Sequence, residues 1–354
     1  MLLNYYYLIS GLIAFFSVYF TFNLYMKFVS KIGITGIDQQ KKNKPELPTS
    51  AGIPLLAGLF FGAFTFLILT NFFPVQDSNI LLLQNLKLFG AILGISLITI
   101  IGFFDDIFVE NKIDLKRSQT KEKRIGLRQK TKALMTLVGA LPLIIISLNV
   151  SSISFPFFLI ETGLVYPLLL VPLAVLTVSN ATNMLAGING LEGGMMLVAS
   201  SFLLFFAYIN NEFEAFLLLL LFVLVLIIYL RFNWFPAKIL PGDSLTYFIG
   251  GVFVTVVLIG NLEKIGILLF IPWIIESFLK LKGKFKVRSF GDLQRDGTIK
   301  APYNEIYSLT HIAMKFPLWF GSKRFNEKQL TMSLILFEIL IGLVSSFLVF
   351  SKLI

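Results

Sequence analysis

The sequence predicts an all-α polytopic membrane protein with about ten transmembrane helices. Of the 354 residues, 56% are hydrophobic and only 14% charged, where a soluble domain carries about a quarter charged. Ten segments approach the roughly 20 apolar residues that a spanning helix needs. The basic residues also alternate in a way that membrane topology explains. Of 30 Lys and Arg, 27 fall on every second connection.

Taken along the chain, the predicted spans are 5–29, 51–73, 86–104, 132–149, 163–182, 191–210, 214–231, 244–261, 264–281 and 328–350. The first run lacks the basic head and small-residue cleavage site of a signal peptide. Only "NMLAGING" separates the fifth and sixth spans, so those two form a tight hairpin. An even number of spans places both termini on one side. The positive-inside rule makes the basic connections cytoplasmic and the termini external. The net charge of +10 is thereby explained without a nucleic-acid partner. The chain reads as a single domain, 1–354, with long cytoplasmic loops at about 105–131 and 282–327. The outer connections are short and plain, which places function on the cytoplasmic face.

There is no cysteine and only one histidine, His311. Disulfides, thiol chemistry and a His-built metal site are therefore excluded. No G-x-x-x-x-G-K-[ST] or G-x-G-x-x-G occurs, so neither a P-loop nor a dinucleotide-binding site is supported.

Four patterns remain. Asp105 and Asp106 in "GFFDDIF" end the third span. Adjacent carboxylates at a membrane boundary are costly unless paired or metal-bound. The plain alternative, a helix end entering water, sets acids against the helix dipole. Asp243 in "LPGDSLTYFIGG" opens the eighth span. It reads as a metal-binding carboxylate or as an ordinary helix N-cap. Asn180 and Asn183 in "NATNMLAGINGLEGG" lie three apart and share one side of a helix end. Their amide oxygens are hard, neutral ligands suited to Mg²⁺ when phosphates supply the negative charge. Small-residue helix packing explains the glycines there but not the asparagines. The string Asn180-Ala181-Thr182 matches a glycosylation sequon but lies in a span. Last, Lys132 closes "GLRQKTK" where the second long loop re-enters the membrane, and Arg288 and Arg295 lie in "KVRSFGDLQRDG". Carboxylates, amides, cations and a glycine-rich turn on one face form the inventory of phosphoryl transfer, which needs positioning and charge stabilisation above all.

Together and in this order, the four motifs resemble the polyprenyl-phosphate N-acetylhexosamine-1-phosphate transferases over nearly the whole chain. Bacterial members tend to read N-x-x-N-x-x-D-G-[ILM]-D-G-L, where this chain has Ala186 and Asn189 in place of the two aspartates. Loop 1, "GIDQQKKNKPELPTSAG", and the absence of a histidine-rich motif from 282–327 also resemble the archaeal and eukaryotic branch. That resemblance implies transfer of GlcNAc-1-phosphate from UDP-GlcNAc to dolichyl phosphate, with release of UMP, as the first step of lipid-linked oligosaccharide assembly for N-glycosylation.

It also implies roles. Asn183 and Asp243 would hold Mg²⁺, with Mn²⁺ the alternative ion. Asp105, Asp106 and Lys132 would be the catalytic set at the lipid phosphate. Asp38, Asn180, Gly187, Asn189, Gly190 and Arg288 would bind substrate. The partners expected are a UDP-sugar, a polyprenyl phosphate and membrane lipid, with a homodimer left open. The expected location is an archaeal cell membrane, or the endoplasmic reticulum if the chain is eukaryotic. The rival readings are a bacterial-type undecaprenyl-phosphate transferase, a secondary transporter and an intramembrane prenyltransferase. A transporter calls for polar groups at mid-membrane and active loops on both faces. A prenyltransferase calls for a second Asp-rich motif. The basic insertion at about 110–124 reads as a surface for anionic lipid.

Overall fold

A computed structural model of the chain describes residues 2–75, 77–114, 119–124, 129–148, 150, 152–154 and 159–351, with side chains left out at 109–114, 119–124, 129, 154 and 159. The first helix, α1 (Leu2–Lys31), leads into a small antiparallel hairpin, β1 (Thr35–Ile37) with β2 (Glu46–Pro48). Helices α2 (Gly52–Phe72) and α3 (Ser78–Ile107) follow. Asp77 caps α3 by accepting the Asn79 N–H at 2.9 Å, so the helix begins well before the predicted 86. The insertion then forms a hairpin, β3 (Val109–Asp114) with β4 (Gln119–Arg124). Its side chains lie outside the described residues, and so does its predicted lipid contact.

Among the described residues, eight helices are long and apolar enough to cross a membrane. The other two predicted spans are each broken. Segment 132–149 becomes α4 (Gln129–Met135) and α5 (Leu137–Ile146). The Thr136 hydroxyl donates back to the Ala133 carbonyl at 2.7 Å at the break, a bond that bends helices. A third hairpin, β5 (Ser152–Ser154) with β6 (Leu159–Glu161), precedes α6 (Val171–Met184), which is entered through a π-helical turn over Tyr166–Leu170. Then come α7 (Leu191–Ile209), α8 (Phe213–Asn233) and α9 (Gly242–Ile259). Segment 264–281 splits into α10 (Glu263–Leu269) and α11 (Ile271–Lys282). Pro272 has no N–H to give Leu268 and disfavours helix at the residue before it. The long loop holds β7 (Asp292–Leu293), β8 (Ile299–Lys300) and α12 (Leu309–Trp319) before α13 (Glu327–Phe350) ends the chain. The four hairpins among the described residues are a departure from the all-helical expectation, and all lie in connections.

Helix α9 is the hub. Every residue from Ser244 to Ile259 is buried, among α2, α3, α6 and α8. A helix apolar on all sides must be enclosed. Glycines bring its neighbours close. A Cβ on Gly102 of α3 would lie 2.4 Å from the Asp243 carbonyl oxygen. By contrast α1 and α13 each leave an apolar stripe exposed, including Phe16, Phe20 and Leu24 on α1 and Leu336, Leu340 and Leu343 on α13. In lipid such stripes carry no penalty.

Candidate active site

Four helix ends meet where α3 stops and α9 starts. Lys132, on α4, is buried there and donates to Asp105 Oδ2 at 2.8 Å. Its ammonium also pairs with the Asp243 carboxylate and sits 5.4 Å from the centre of the Tyr247 ring. One cation thus joins the DD pair to the Gly-Asp pair, as charges buried at a membrane boundary require.

The two adjacent aspartates do different work. Asp106 accepts the Asp243 N–H on Oδ1 at 2.7 Å, and the Ser50 hydroxyl and Ser244 N–H on Oδ2 at 2.6 and 3.0 Å. Both its oxygens are therefore spent on the first turn of α9, where free amides and the helix dipole favour an anion. Asp105 faces Lys132 instead. Sequence reasoning treated the pair as one unit, because adjacency does not show which way each side chain turns.

Asn183 and Asp243 are linked through Thr246, whose hydroxyl lies 3.1 Å from both Asn183 Oδ1 and the Asp243 carbonyl. Asn180 Oδ1 accepts from Tyr247 at 3.1 Å. Thr246 and Tyr247 stand three and four residues beyond Asp243, so helical spacing alone could have flagged them. Among the described residues, no three His, Cys, Asp or Glu side chains gather as a metal cage. One carboxylate and one amide oxygen at this junction still fit a Mg²⁺ ion that takes its remaining oxygens from phosphates and water.

Four residues after Asn183 begins a glycine turn. Gly187 and Gly190 have φ of +101° and +79°, conformations open chiefly to glycine. The turn is pinned from three sides. Gly187 N–H donates to Glu192. Gly190 N–H donates to Asn233 Oδ1 at 2.8 Å. Asn189 N–H donates to Glu327 Oε1 at 3.1 Å, and its side-chain amide to Asp38 Oδ2 at 3.0 Å. Lys41 bridges Asp38 and Glu327 and lies 4.4 Å from the Phe235 ring centre. The contact to Asp38 gives a physical reason for asparagine at 189. An aspartate has no N–H to donate and would set a second carboxylate against the first. Glu327, Glu192 and Asn233 were not foreseen. Glu327 reads from sequence as an ordinary acid in a helix's first turn.

Arg288 makes none of these contacts. Its guanidinium is exposed and pairs with Asp292 at 2.7 Å. Phe290, two residues on, is what reaches the turn, with its ring where a Gly187 Cβ would be. The same segment is fixed by His311, whose Nδ1 takes the Tyr307 N–H at 3.3 Å and whose Nε2 lies 3.1 Å from the Arg288 carbonyl. Burial, with Lys280 acting in the same direction, pushes His311 down to about 4. Of the "GLRQKTK" motif, residues 126–128 lie outside the described residues.

Beside the polar cluster opens a cavity of about 790 Å³, walled almost wholly by apolar side chains of α6, α9, α10 and α11. Lys130 and Asn180 stand at one end, and Tyr166 and Glu263, hydrogen-bonded at 2.5 Å, at the other. Along α6 and its entry turn, Tyr166 and Asn180 are separated by about 20 Å of helix rise.

Comparison with known proteins shows the family. Residues 88–261 match the family model described as glycosyl transferase family 4. A Saccharolobus solfataricus protein, provisionally named a UDP-N-acetylglucosamine–dolichyl-phosphate N-acetylglucosaminephosphotransferase, is 33% identical over 92% of both chains. The Saccharomyces cerevisiae protein of that name is 27% identical over 73% of this chain and 62% of its own. A Petrotoga mobilis phospho-N-acetylmuramoyl-pentapeptide-transferase is 29% identical over 78% of this chain and 83% of its own. The matched stretch contains Asp105, Asp106, Lys132, Asn183 and Asp243, so the junction just described and the similarity coincide, and the chain belongs to glycosyl transferase family 4.

Proposed function

We propose that the chain transfers GlcNAc-1-phosphate from UDP-GlcNAc to a dolichyl-type polyprenyl phosphate and releases UMP, at the cytoplasmic face of an archaeal cell membrane. The observation that carries the reading is Lys132, buried between Asp105 and Asp243, on a helix whose Lys130, Ala133 and Leu134 line the apolar cavity. A cation held by two carboxylates is ready to exchange one of them for a phosphate. The cavity has the chemistry of an isoprenoid tail and too few polar groups for a soluble acceptor.

In this reading the acceptor's phosphate oxygen forms a bond to the β-phosphorus of the donor. The bond from that phosphorus to the bridging oxygen breaks, and UMP leaves with the oxygen. Lys132 stabilises charge on the transferring phosphate. Asp106 keeps α9, and with it Asp243, in register. Asp38, Asn189 and the Gly187–Gly190 turn form the nucleoside side of the site. Asn183 and Asp243 would hold Mg²⁺. That ion supplies charge neutralisation at a pyrophosphate.

The Asn189–Asp38 bond favours the archaeal and eukaryotic branch over the bacterial alternative, as do the names of the archaeal and yeast relatives. The distribution of basic residues supports external termini and a cytoplasmic site.

The test is UMP release by purified protein with UDP-GlcNAc, dolichyl phosphate and Mg²⁺. UMP that needs both lipid and metal supports the proposal. Release without lipid, or none from folded protein across a panel of UDP-sugars and polyprenyl phosphates, overturns it.

A further inference from the structure

A second concavity lies between α1 and α8, about 240 Å³ in volume and lined by Tyr19, Phe20, Asn23, Arg231, Phe232 and Lys238. It shares no residue with the large apolar cavity. Its walls are built. Phe22 stacks on Phe232 at 4.6 Å and locks the two helices together. Arg231 lies over the Tyr19 ring at 5.3 Å. Lys238 is held in place by its N–H, which donates to the Phe232 carbonyl at 2.7 Å.

Two cations converge there, and no carboxylate lines the pocket. Among the described residues neither Arg231 nor Lys238 forms an ion pair. Positive-inside charge accounts for their side of the membrane but not for their convergence on one hollow. The surroundings identify the medium. Phe20, Leu24 and Phe28 run along the same face of α1 and are exposed by 66%, 67% and 58%. Lys27 and Lys31 flank the end of that stripe. A stripe of apolar side chains that ends in lysines marks the level of lipid headgroups.

We infer that this pocket binds the headgroup phosphate of an anionic phospholipid in the leaflet facing the basic loops. The guanidinium of Arg231 offers a fork to two phosphate oxygens, and Lys238 adds a point charge. Asn23 and Tyr19 offer polar partners for the glycerol. The exposed stripe of α1 lies alongside for an acyl chain. The volume equals that of about eight water molecules at ~30 Å³ each, room for a phosphoglycerol group and not for a nucleotide sugar. Basic pockets between helices on this side of membranes suit such headgroups. Binding also has a route to the active site. Lys238 stands five residues before Asp243, so a phosphate shared by α8 and this loop ties the loop down.

The test uses the full chain in nanodiscs of phosphatidylcholine, with and without phosphatidylglycerol. Thermal unfolding and native mass spectrometry read stability and retained lipid, and inorganic phosphate in phosphatidylcholine discs is the free-anion arm. The wild type should unfold several degrees higher with phosphatidylglycerol and retain one such molecule. Arg231→Gln with Lys238→Gln should lose both effects while unfolding normally in phosphatidylcholine. Lys238→Gln alone, a change at an exposed loop residue, serves if the double variant folds poorly, and Lys238→Arg should keep the response. Equal responses of wild type and variants overturn the inference. A full shift from inorganic phosphate alone would make the pocket a soluble-anion site and overturn the lipid assignment. UMP release, followed in parallel, reports on the transferase reading separately, because neither Arg231 nor Lys238 belongs to that site.

Discussion

Replacing Asp106 with asparagine separates an anchoring role from a chemical one. In the wild type Asp106 takes three hydrogen bonds, from Ser50, Asp243 and Ser244. Asparagine keeps the first two in kind. Its oxygen can accept the Asp243 N–H, and its NH₂ can donate to the Ser50 hydroxyl. The Ser244 N–H then faces a donor, and a buried N–H without a partner costs about 1–3 kcal/mol. Removing the charge from the start of α9 costs a further ~0.3–1 kcal/mol, and up to ~2 in a buried setting. The sum is about 1–5 kcal/mol, concentrated on the turn that carries Asp243. The assay is thermal unfolding of Asp106→Asn and Asp105→Asn in one detergent, followed by tryptophan fluorescence, with UMP release on the same samples. Asp106→Asn should unfold several degrees lower and need more Mg²⁺ for half-maximal rate. Asp105→Asn should lose rate with little loss of stability, because Lys132 keeps Asp243 as its partner. A double-mutant cycle with Ser50→Ala should show coupling for Asp106 and none for Asp105. An Asp106→Asn protein as stable as wild type, yet inactive at every Mg²⁺ concentration, would refute the anchoring argument and make Asp106 the reacting carboxylate.

Four further outcomes are expected. Asn189→Asp should weaken UDP-GlcNAc binding by about tenfold or more, from an unpaired buried group worth about 1–3 kcal/mol; adding Asp38→Asn, which returns an N–H to that contact, should recover most of it in calorimetry. Gly187→Ala meets both a positive φ and the Phe290 ring; strain of about 1–3 kcal/mol predicts a several-fold to hundredfold fall in kcat/KM for the donor, and an unchanged value would show that the turn is not at the donor. Glu338 is fully buried in α13 with neither carboxylate oxygen partnered among the described residues; Glu338→Leu removes a desolvated group and should raise the unfolding temperature without changing UMP release. His311 is depressed to about 4 from 6.5, so the unfolded chain binds more protons between those values and its contribution to stability is complete above about 6.5 and lost as pH falls toward 4; His311→Gln should flatten that part of the pH–stability curve, and identical curves would contradict the assignment.

Much of the fold can be read from apolar length alone, since lipid leaves few ways to satisfy a backbone. The eight uninterrupted spans are of this kind. The two broken ones escape the same reading because hydropathy does not see hydrogen-bond geometry at Thr136 or the missing donor of Pro272. The β-hairpins escape it because they lie in polar connections with no apolar period to betray them. Within the candidate site, residues that belong to a motif could be named, and Asp105, Lys132, Asn183 and Asp243 do come together. What motifs conceal is division of labour. Asp105 and Asp106 are adjacent letters with different partners. Glu327 lies 138 residues from Asn189, a pairing that no local pattern announces. The charge of Arg288 marks it in the sequence, but this exposed arginine pairs with Asp292, and the apolar Phe290 makes the closer approach to the turn.

The contact of Glu327 with the glycine turn also fixes an order of events in biogenesis. Membrane insertion proceeds from the N-terminus, and Lys132, Asn183 and Asp243 are all in the bilayer before α13 leaves the ribosome. Until then the Asn189 N–H lacks its carboxylate and the Lys41 ammonium has Asp38 alone. The residues proposed to face the phosphates can therefore assemble early, while those proposed for the nucleoside wait for α13. A chain halted before residue 327 would be a membrane protein with nearly every helix in place and no finished turn. If the proposed function holds, such a nascent chain would be unable to bind a nucleotide sugar until α13 has joined the turn.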